Sequence, residues 1–382
     1  MKILRVITRL NIGGPSHQVQ NLHLRLKEAG HECTLLHGSL DPGEGDHRFL
    51  EESHDVQLIP ELTRPIHPLK DWQCFRKLCH LLSKEPFDIL HTHTAKAGLL
   101  ARTAAWHVKG RRKKKGFPEL NVVHTYHGHV FKGYFNPILT QCFIFLEQWL
   151  SRHTNHLITL SPTLTKEISG FLKVPESQLD LVPLGLELEP FLQQTQKPFN
   201  LNKELNTSKK SWVGWVGRMA SIKNPMAFLK LAKETIQLNP ELGFVMIGDG
   251  PLKTEIEESI KIHHLENHVF LLGWKKDMPP LMASLNLIIN TSFNEGTPVT
   301  LLEAMASGTP VLTSDAGGCR DILPKNEPAS SFSLTNIKSQ AATVVQWTEE
   351  KASISNSSRK AIVKNHSVSR LVEDLEALYL NT

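Results

Sequence analysis

The stretch Asn290-Thr-Ser-Phe-Asn-Glu295-Gly296-Thr297-Pro298-Val-Thr-Leu-Leu-Glu303-Ala-Met-Ala-Ser-Gly308-Thr-Pro310-Val311 follows an apolar run, Leu287 to Asn290, that reads as a short buried strand. A glycine-containing turn comes next. Pro298 then stands where a first-turn helix proline is tolerated. Strand, loop and helix N-terminus in that order aim unpaired backbone N–H groups and the positive end of a helix dipole at one spot, which favours phosphate. Glu295 falls in the loop and Glu303 about two turns along the helix, a turn being about 3.6 residues. Taken alone, the two read equally well as a loop carboxylate and a solvated helix-face carboxylate.

Two further segments upstream have the same form. In Val216-Gly217-Arg218-Met219-Ala-Ser-Ile-Lys223-Asn224-Pro225 an Arg and a Lys follow the end of the strand Trp212 to Val216. Open α/β sheets place their ligands there, outside the carboxyl ends of the strands. A planar guanidinium at Arg218 and a point charge at Lys223 suit a diphosphate, although turns also carry such cations for solubility. In Ile247-Gly248-Asp249-Gly250-Pro251 the glycines follow another strand end and admit close backbone approach, a weak signal by itself.

The alternation of strand and helix runs through the whole chain, the pattern of parallel sheets covered by helices on both faces. Strands are expected at Ile3 to Ile7, Glu32 to Leu36, Ile89 to His91, Asn121 to Thr125 and Leu157 to Leu160 in the first half. In the second half they are expected at Trp212 to Val216, Gly243 to Ile247, Val269 to Leu272, Leu287 to Asn290 and Pro310 to Thr313. A length of 382 residues exceeds what one core usually fills. Residues 1–190 are expected to form one domain, 191–210 a polar linker, and 211–360 a second domain. The closing segment 361–382 is expected to be a helix that packs back on the first.

Composition narrows the class. With 40% hydrophobic and 21% charged residues the chain is globular, and no apolar run reaches the roughly 20 residues of a membrane span. The opening Met1 to Arg9 carries Arg5 inside its apolar run, which argues for a buried strand over a signal peptide. Five cysteines without a CxxC pair fit a reducing compartment, so a cytoplasmic location is expected. The net charge of +5 is mild and concentrated in Arg111-Arg-Lys-Lys-Lys115, which reads as a solvated loop or as an anchor for the anionic inner face of a membrane. No nucleic-acid-binding signature accompanies it.

Histidines cluster in His91-Thr-His93 and His124-Thr-Tyr-His127-Gly-His129. Alternate residues share a strand face, yet no carboxylate or cysteine completes a metal set at convincing spacing, and no metal is expected. After the first strand comes Gly13-Gly14, which suits a close phosphate approach or a tight turn with positive φ. No G-x-G-x-x-G and no G-x-x-x-x-G-K-[ST] occurs, so dinucleotide and P-loop readings fail.

Taken together, Glu295…Glu303 within Glu-Gly-Thr-Pro…Glu-Ala-Met-Ala-Ser-Gly-Thr-Pro-Val, Val-Gly-Arg…Lys-Asn, Gly-Asp-Gly-Pro, Asn11-Ile-Gly13-Gly14, Leu160-Ser161 and Val182-Pro-Leu-Gly185 resemble the retaining glycosyltransferase family four. The resemblance covers nearly the whole chain. It implies the GT-B architecture: an α/β protein with two Rossmann-like α/β/α domains facing each other across a cleft, the nucleotide sugar bound mainly by the second. It implies that Arg218 and Lys223 hold the donor diphosphate and that Glu295 contacts the transferred sugar. Glu303 would take the ribose hydroxyls. Gly13, Gly14, Gly248, Gly250, Gly296, Thr297 and Pro298 would line the donor, and a strand-end histidine beside the reacting sugar is best matched by His127, with His129 as competitor. The implied activity is transfer of a hexose or N-acetylhexosamine, with retention, from a UDP- or GDP-sugar to a glycan or lipid-linked acceptor in surface polysaccharide or lipopolysaccharide synthesis, with no added cofactor. A sugar-nucleotide 2-epimerase of the same architecture, or a non-catalytic nucleotide-sugar binder, are the other readings.

Overall fold

The computed structural model describes residues 1–11, 13–41, 50, 53–128, 137–193 and 199–380. They form two compact units, the first made of Met1–Leu186 and Ser367–Thr382, the second of Glu187–His366. Each is a parallel sheet with helices between the strands, as the alternating pattern requires.

The first sheet consists of β1 (Lys2–Ile7), β2 (Glu32–His37), β3 (Val56–Leu58), β4 (Ile89–His93), β5 (Asn121–Tyr126), β6 (His156–Thr159) and β7 (Leu179–Leu181), in the order β3-β2-β1-β4-β5-β6-β7. The second holds β8 (Ser211–Val216), β9 (Leu242–Ile247), β10 (Val269–Gly273), β11 (Leu287–Asn290), β12 (Val311–Ser314) and β13 (Ala329–Phe332), in the order β10-β9-β8-β11-β12-β13. Both are doubly wound. The order reverses between β1 and β4 in one sheet and between β8 and β11 in the other, and crevices open at the carboxyl ends of such pairs. Among these strands β3, β7 and β13 lie outside the expected set. Each is an outer strand of only three or four residues, too short to show a period.

Central strands are apolar on both faces because helices cover both. In the first unit Leu4, Val6, Leu90 and Val122 pack under Leu78 and Ala101, while Ile3, Val123 and Ile158 pack under Leu371, Leu375 and Tyr379 of the helix Val368–Leu380. The second unit closes around Trp215, Phe228, Phe244, Met246 and Leu287. The polar segment after the boundary is not bare chain: Phe191 and Leu201 are buried, and the Phe199 N–H donates to the Pro280 carbonyl at 3.0 Å.

The basic run corrects one expectation. Arg111 to Lys114 end the helix Ala95–Lys114, where cations suit the dipole, but Arg112 is not a surface residue. It is 3% exposed, and its guanidinium donates to the carbonyls of Leu82, Glu85, Phe87 and Pro118. A planar fork of five N–H donors can satisfy so many carbonyls at once, which a charge count along the sequence does not reveal.

Candidate functional site

Four loops leave the carboxyl ends of β8, β9, β11 and β12, and they are bonded to one another through the backbone. The Gly217 N–H donates to the Ile247 carbonyl at 3.0 Å, Met219 N–H to Asp249 at 2.9 Å, Leu252 N–H to Met219 at 2.9 Å, and Phe293 N–H to Ile222 at 2.8 Å. Glycine is required where the loops touch. Gly248 has φ +133°, and a Cβ there would stand 1.9 Å from the Gly217 carbonyl oxygen. Gly317 has φ +51°, and its Cβ would stand 1.9 Å from the Glu295 carbonyl oxygen. Gly250 likewise abuts the Met219 backbone. Gly248 and Gly250 thus admit a neighbouring loop rather than open space.

This frame brings the predicted charged residues together. Lys223 Nζ lies 2.6 Å from Glu295 Oε1, and the same oxygen accepts from Ser292 Oγ at 2.6 Å. Ser314 Oγ donates to the Ser292 carbonyl at 2.6 Å, tying the β11 loop to the end of β12. Thr291 Oγ1 donates to the Asn224 carbonyl at 2.8 Å, fixing the same loop to the Lys223 segment. Arg218, half-buried, heads that segment one residue beyond Gly217. Ser292 and Ser314 were not singled out from sequence, since lone serines at strand ends carry no signal of their own.

The helix Val299–Ser307 begins among these groups. Its N-cap is Pro298, no side chain caps it and no acidic residue occupies its first turn. Pro298 has no N–H and its carbonyl accepts from Leu301 and Leu302 at 3.1 and 3.4 Å, so the Val299 and Thr300 N–H groups are the ones that need partners from elsewhere. Beside them Thr297 Oγ1 is buried and has no partner among the described residues. Glu303, one turn further in, is half-buried, and burial pushes its carboxyl up to about 8. Among the described residues it has no hydrogen-bond or ion-pair partner, so it is a largely protonated acid at neutral pH that hydroxyl donors would help to ionise.

In the first unit, Gly13 follows β1 with φ 165°, extended backbone that any residue adopts, and Gly14 opens the helix Gly14–Glu28. Gly13 therefore does not answer a positive-φ turn. The strained residue at this switch point is Thr94 after β4, with φ +68° and its hydroxyl 2.6 Å from that of Thr8. His93 and His127 meet at the ends of β4 and β5, Nδ1 of the first 3.0 Å from Nε2 of the second. His91 Nδ1 lies 2.6 Å from the Tyr379 hydroxyl and its Nε2 2.7 Å from Thr125 Oγ1. His124 faces the other way, its Nδ1 2.8 Å from Thr92 Oγ1. Burial holds His127 down at about 4 and drives His91, His93 and His124 well below the ordinary imidazole range. All four rings are neutral at pH 7. Among the described residues no group of three or more histidine, cysteine or carboxylate side chains is arranged for a metal ion. His129, Phe131, Tyr134 and Phe135 lie outside the described residues. No helix among the described residues is long and apolar enough to cross a membrane.

Two parallel doubly wound sheets, the second with charged residues gathered near a helix N-terminus, are an architecture shared by many enzymes, and comparison with known proteins supplies the class, that of the glycosyltransferases. Residues 12–190 match the family model Glycosyltransferase Family 4 and residues 196–368 match Glycosyl transferases group 1. The chain is 31% identical over 340 residues to the UDP-Gal:alpha-D-GlcNAc-diphosphoundecaprenol alpha-1,3-galactosyltransferase of Escherichia coli, covering 87% of this chain and 85% of that one. It is 26% identical over 351 residues to the putative glycosyltransferase EpsF of Bacillus subtilis, covering 89% and 88%. Among solved structures, Anabaena HepE in complex with UDP superposes with a TM-score of 0.77 at 18% identity over 99% of both chains. The chain belongs to the family-four glycosyltransferases and has the GT-B architecture.

Proposed function

We propose that the protein transfers a hexose or N-acetylhexosamine from a UDP-sugar, with retention, to a lipid-linked or polysaccharide acceptor. The observation that carries the donor site is the uncapped N-terminus of Val299–Ser307 with buried, unpartnered Thr297 Oγ1, set beside Lys223 and Arg218. In this reading Gly296 and Thr297 present N–H and O–H donors to the diphosphate, and Pro298, which has no N–H to give, turns the chain into the helix beside it. Arg218 and Lys223 neutralise it, Glu303 accepts from the ribose, and Glu295 faces the transferred sugar. UDP is favoured because the Escherichia coli relative is named for UDP-Gal and HepE was solved with UDP and UDP-glucose.

Donors fixed on the leaving diphosphate lower the barrier as charge builds there, each by about 2.7–4 kcal/mol in measured sites. The acceptor hydroxyl oxygen bonds to the anomeric carbon on the face the diphosphate leaves, the carbon–oxygen bond to phosphate breaks, and the hydroxyl proton passes to a phosphate oxygen of the departing UDP. The resemblance assigns His127 of the first unit to the transferred sugar, and burial keeps its ring neutral.

A lipid-linked acceptor is supported by the Escherichia coli relative's diphosphoundecaprenol and by the surface of the first unit. There Ile138, Cys142 and Phe145 are exposed along one face of the helix Pro137–Ser151. Trp149 meets Trp106 with ring centroids 5.1 Å apart. Lys113, seven residues from Trp106, shares its helix face. Arg111, Lys113, Lys114 and Lys115, without Arg112, are the cations for an anionic inner leaflet.

The test is a panel of UDP-, GDP- and ADP-sugars scored by thermal stabilisation, then by transfer to a polyprenyl-diphosphate sugar, with the anomeric coupling constant of the product giving the stereochemistry. Stabilisation by GDP- or ADP-sugars alone would overturn the UDP reading. Epimer formed without acceptor would establish the 2-epimerase instead. Unchanged sedimentation with anionic vesicles after neutralising Arg111, Lys113, Lys114 and Lys115 would remove the membrane surface.

A further inference from the structure

We infer that His93 is a positioning residue for His127: by donating from Nδ1 to His127 Nε2 it fixes the His127 proton on Nδ1, so that His127 meets its ligand as a neutral hydrogen-bond donor. The first half concerns two rings of this chain alone. The second rests on the reading that His127 faces the reacting sugar.

The two rings share one hydrogen bond, Nδ1 of His93 to Nε2 of His127 at 3.0 Å, so one of those nitrogens carries the proton and the other does not. Neither ring has a carboxylate partner among the described residues, so nothing nearby supports an imidazolium. If His127 donated, the proton of neutral His93 would have to sit on its Nε2, which is buried without a partner among the described residues. That would leave an orphaned N–H, the rarer and costlier kind of unsatisfied group. If His93 donates, Nε2 is left as a bare lone pair, which a buried acceptor site tolerates better.

The surroundings favour the second arrangement. His93 is fully buried and stacks on His91 with centroids 4.2 Å apart. Arg5, in register with His91 on the neighbouring strand β1, is also fully buried, and among the described residues none of its guanidinium nitrogens has a hydrogen-bond partner. A permanent cation in that layer attracts a lone pair and repels a second N–H dipole. His91 cannot exchange roles with His93, since both its nitrogens are bonded, one to Tyr379 of the carboxyl-terminal helix and one to Thr125. His124 points to the opposite face of the sheet and bonds Thr92. The proton of neutral His127 is thus left on Nδ1, away from His93. A donor there can stabilise an oxygen that gains negative charge; a bare nitrogen could not.

The test uses full-length protein labelled with 15N-histidine, whose two-bond proton–nitrogen correlations distinguish the two neutral tautomers. His127→Gln identifies the His127 signals by their loss. The wild type should show the Nδ1–H pattern at His127, and His93→Leu should convert it to the Nε2–H pattern or a mixture. His93→Asn places an amide N–H where the imidazole Nδ1–H stood and should restore it. In slow hydrolysis of the UDP-hexose that stabilises the protein most, His93→Leu should lower kcat about tenfold with KM little changed, the scale on which groups behind a reacting one act. His93→Asn should recover most of it, which a merely structural role of the ring would not predict.

A wild-type His127 protonated on Nε2 overturns the inference, as does a His93→Leu protein in which the His127 pattern is unchanged. Should His93→Leu fail to fold, the wild-type spectrum and His93→Asn still decide. Normal turnover by His127→Gln would instead overturn the placement of His127 at the sugar, a failure separable from the tautomer result.

Discussion

Lys223 and Glu295, assigned to different parts of one donor, are bonded to each other at 2.6 Å without it. A diphosphate arriving at Lys223 has to compete with a carboxylate already there, so the two side chains should not act independently. Lys223→Ala should weaken UDP binding. Glu295→Gln, which releases the ammonium, should tighten UDP while lowering kcat for the sugar. A double-mutant cycle by calorimetry should give a coupling of about 0.5–3 kcal/mol, the range for residues in direct contact. Additivity would show that the pair dissolves before UDP binds. Arg218→Ala should cost about 1.5–3 kcal/mol of UDP affinity, the worth of a bond to a charged group. Glu303 makes a pH prediction. Its folded value of about 8 lies above the ordinary 4.5, so its contribution to stability is full below 4.5 and is lost as pH rises through 8. Glu303→Gln should therefore gain stability over wild type between pH 5 and pH 9. Solvent reaches the half-buried carboxyl, so the gain should be about 1 kcal/mol, or roughly 2–4 °C in Tm for a domain of this size. UDP, whose ribose hydroxyls favour the ionised acid, should bind wild type more tightly as pH rises through that window, and Glu303→Gln should show no such slope.

At the scale of elements, the loops at the ends of β8, β9, β11 and β12 hold one another in place by backbone contact. Gly248→Ala forces a Cβ against the Gly217 carbonyl at a φ of +133° that side chains rarely adopt. We expect a loss of about 2–4 kcal/mol, strain and overpacking together, with UDP binding falling further than stability because the Arg218 loop is displaced. Thermal melts with and without UDP separate the two effects, and an Ala variant that binds UDP normally would mean the Arg218 loop can shift away without harm. These loops were legible in sequence because turn glycines, prolines and charges mark strand ends within a few residues. The α/β alternation, local in the same way, pointed to parallel sheets covered on both faces, and the resemblance to family four supplied the two Rossmann-like domains. What stayed hidden depends on contacts made far along the chain. Lys223 and Glu295 are 72 residues apart and His93 and His127 are 34 apart, so neither bond leaves a local trace. The five-residue basic run looks uniform, yet only the fold decides that Arg112 turns inward. The three-residue strands β3 and β7 have no period to read.

The whole molecule is a chain that leaves its first unit after Leu186, builds the second, and returns at Ser367. The return is anchored by specific bonds: Arg370 donates to the Pro183 carbonyl at 2.5 Å, and His31 Nε2 lies 2.7 Å from Glu376. Apolar burial does most of the holding. Leu371 and Leu375 are each 1% exposed and pack with Ile3, Val123 and Ile158, and Leu371 also fills the space beside Gly185, where a Cβ would come within 2.6 Å of its own. Deleting a buried leucine side chain costs about 2–5 kcal/mol, so a Leu371→Ala, Leu375→Ala double variant removes a large part of the roughly 5–15 kcal/mol that a domain usually has. Residues 367–380 are thus a structural part of a unit whose other members lie more than 180 residues earlier. Hydrogen exchange read by mass spectrometry should show lost protection in residues 1–186 and 367–380, including β1, β4 and β5, while peptides from β8, β9 and β11 keep theirs. UDP should still protect the loops after β8 and β11 in the variant, because every group assigned to the diphosphate belongs to the second unit. Equal loss of protection in both units would show that they unfold as one cooperative body, and loss confined to the carboxyl-terminal helix would show that the first sheet holds without it.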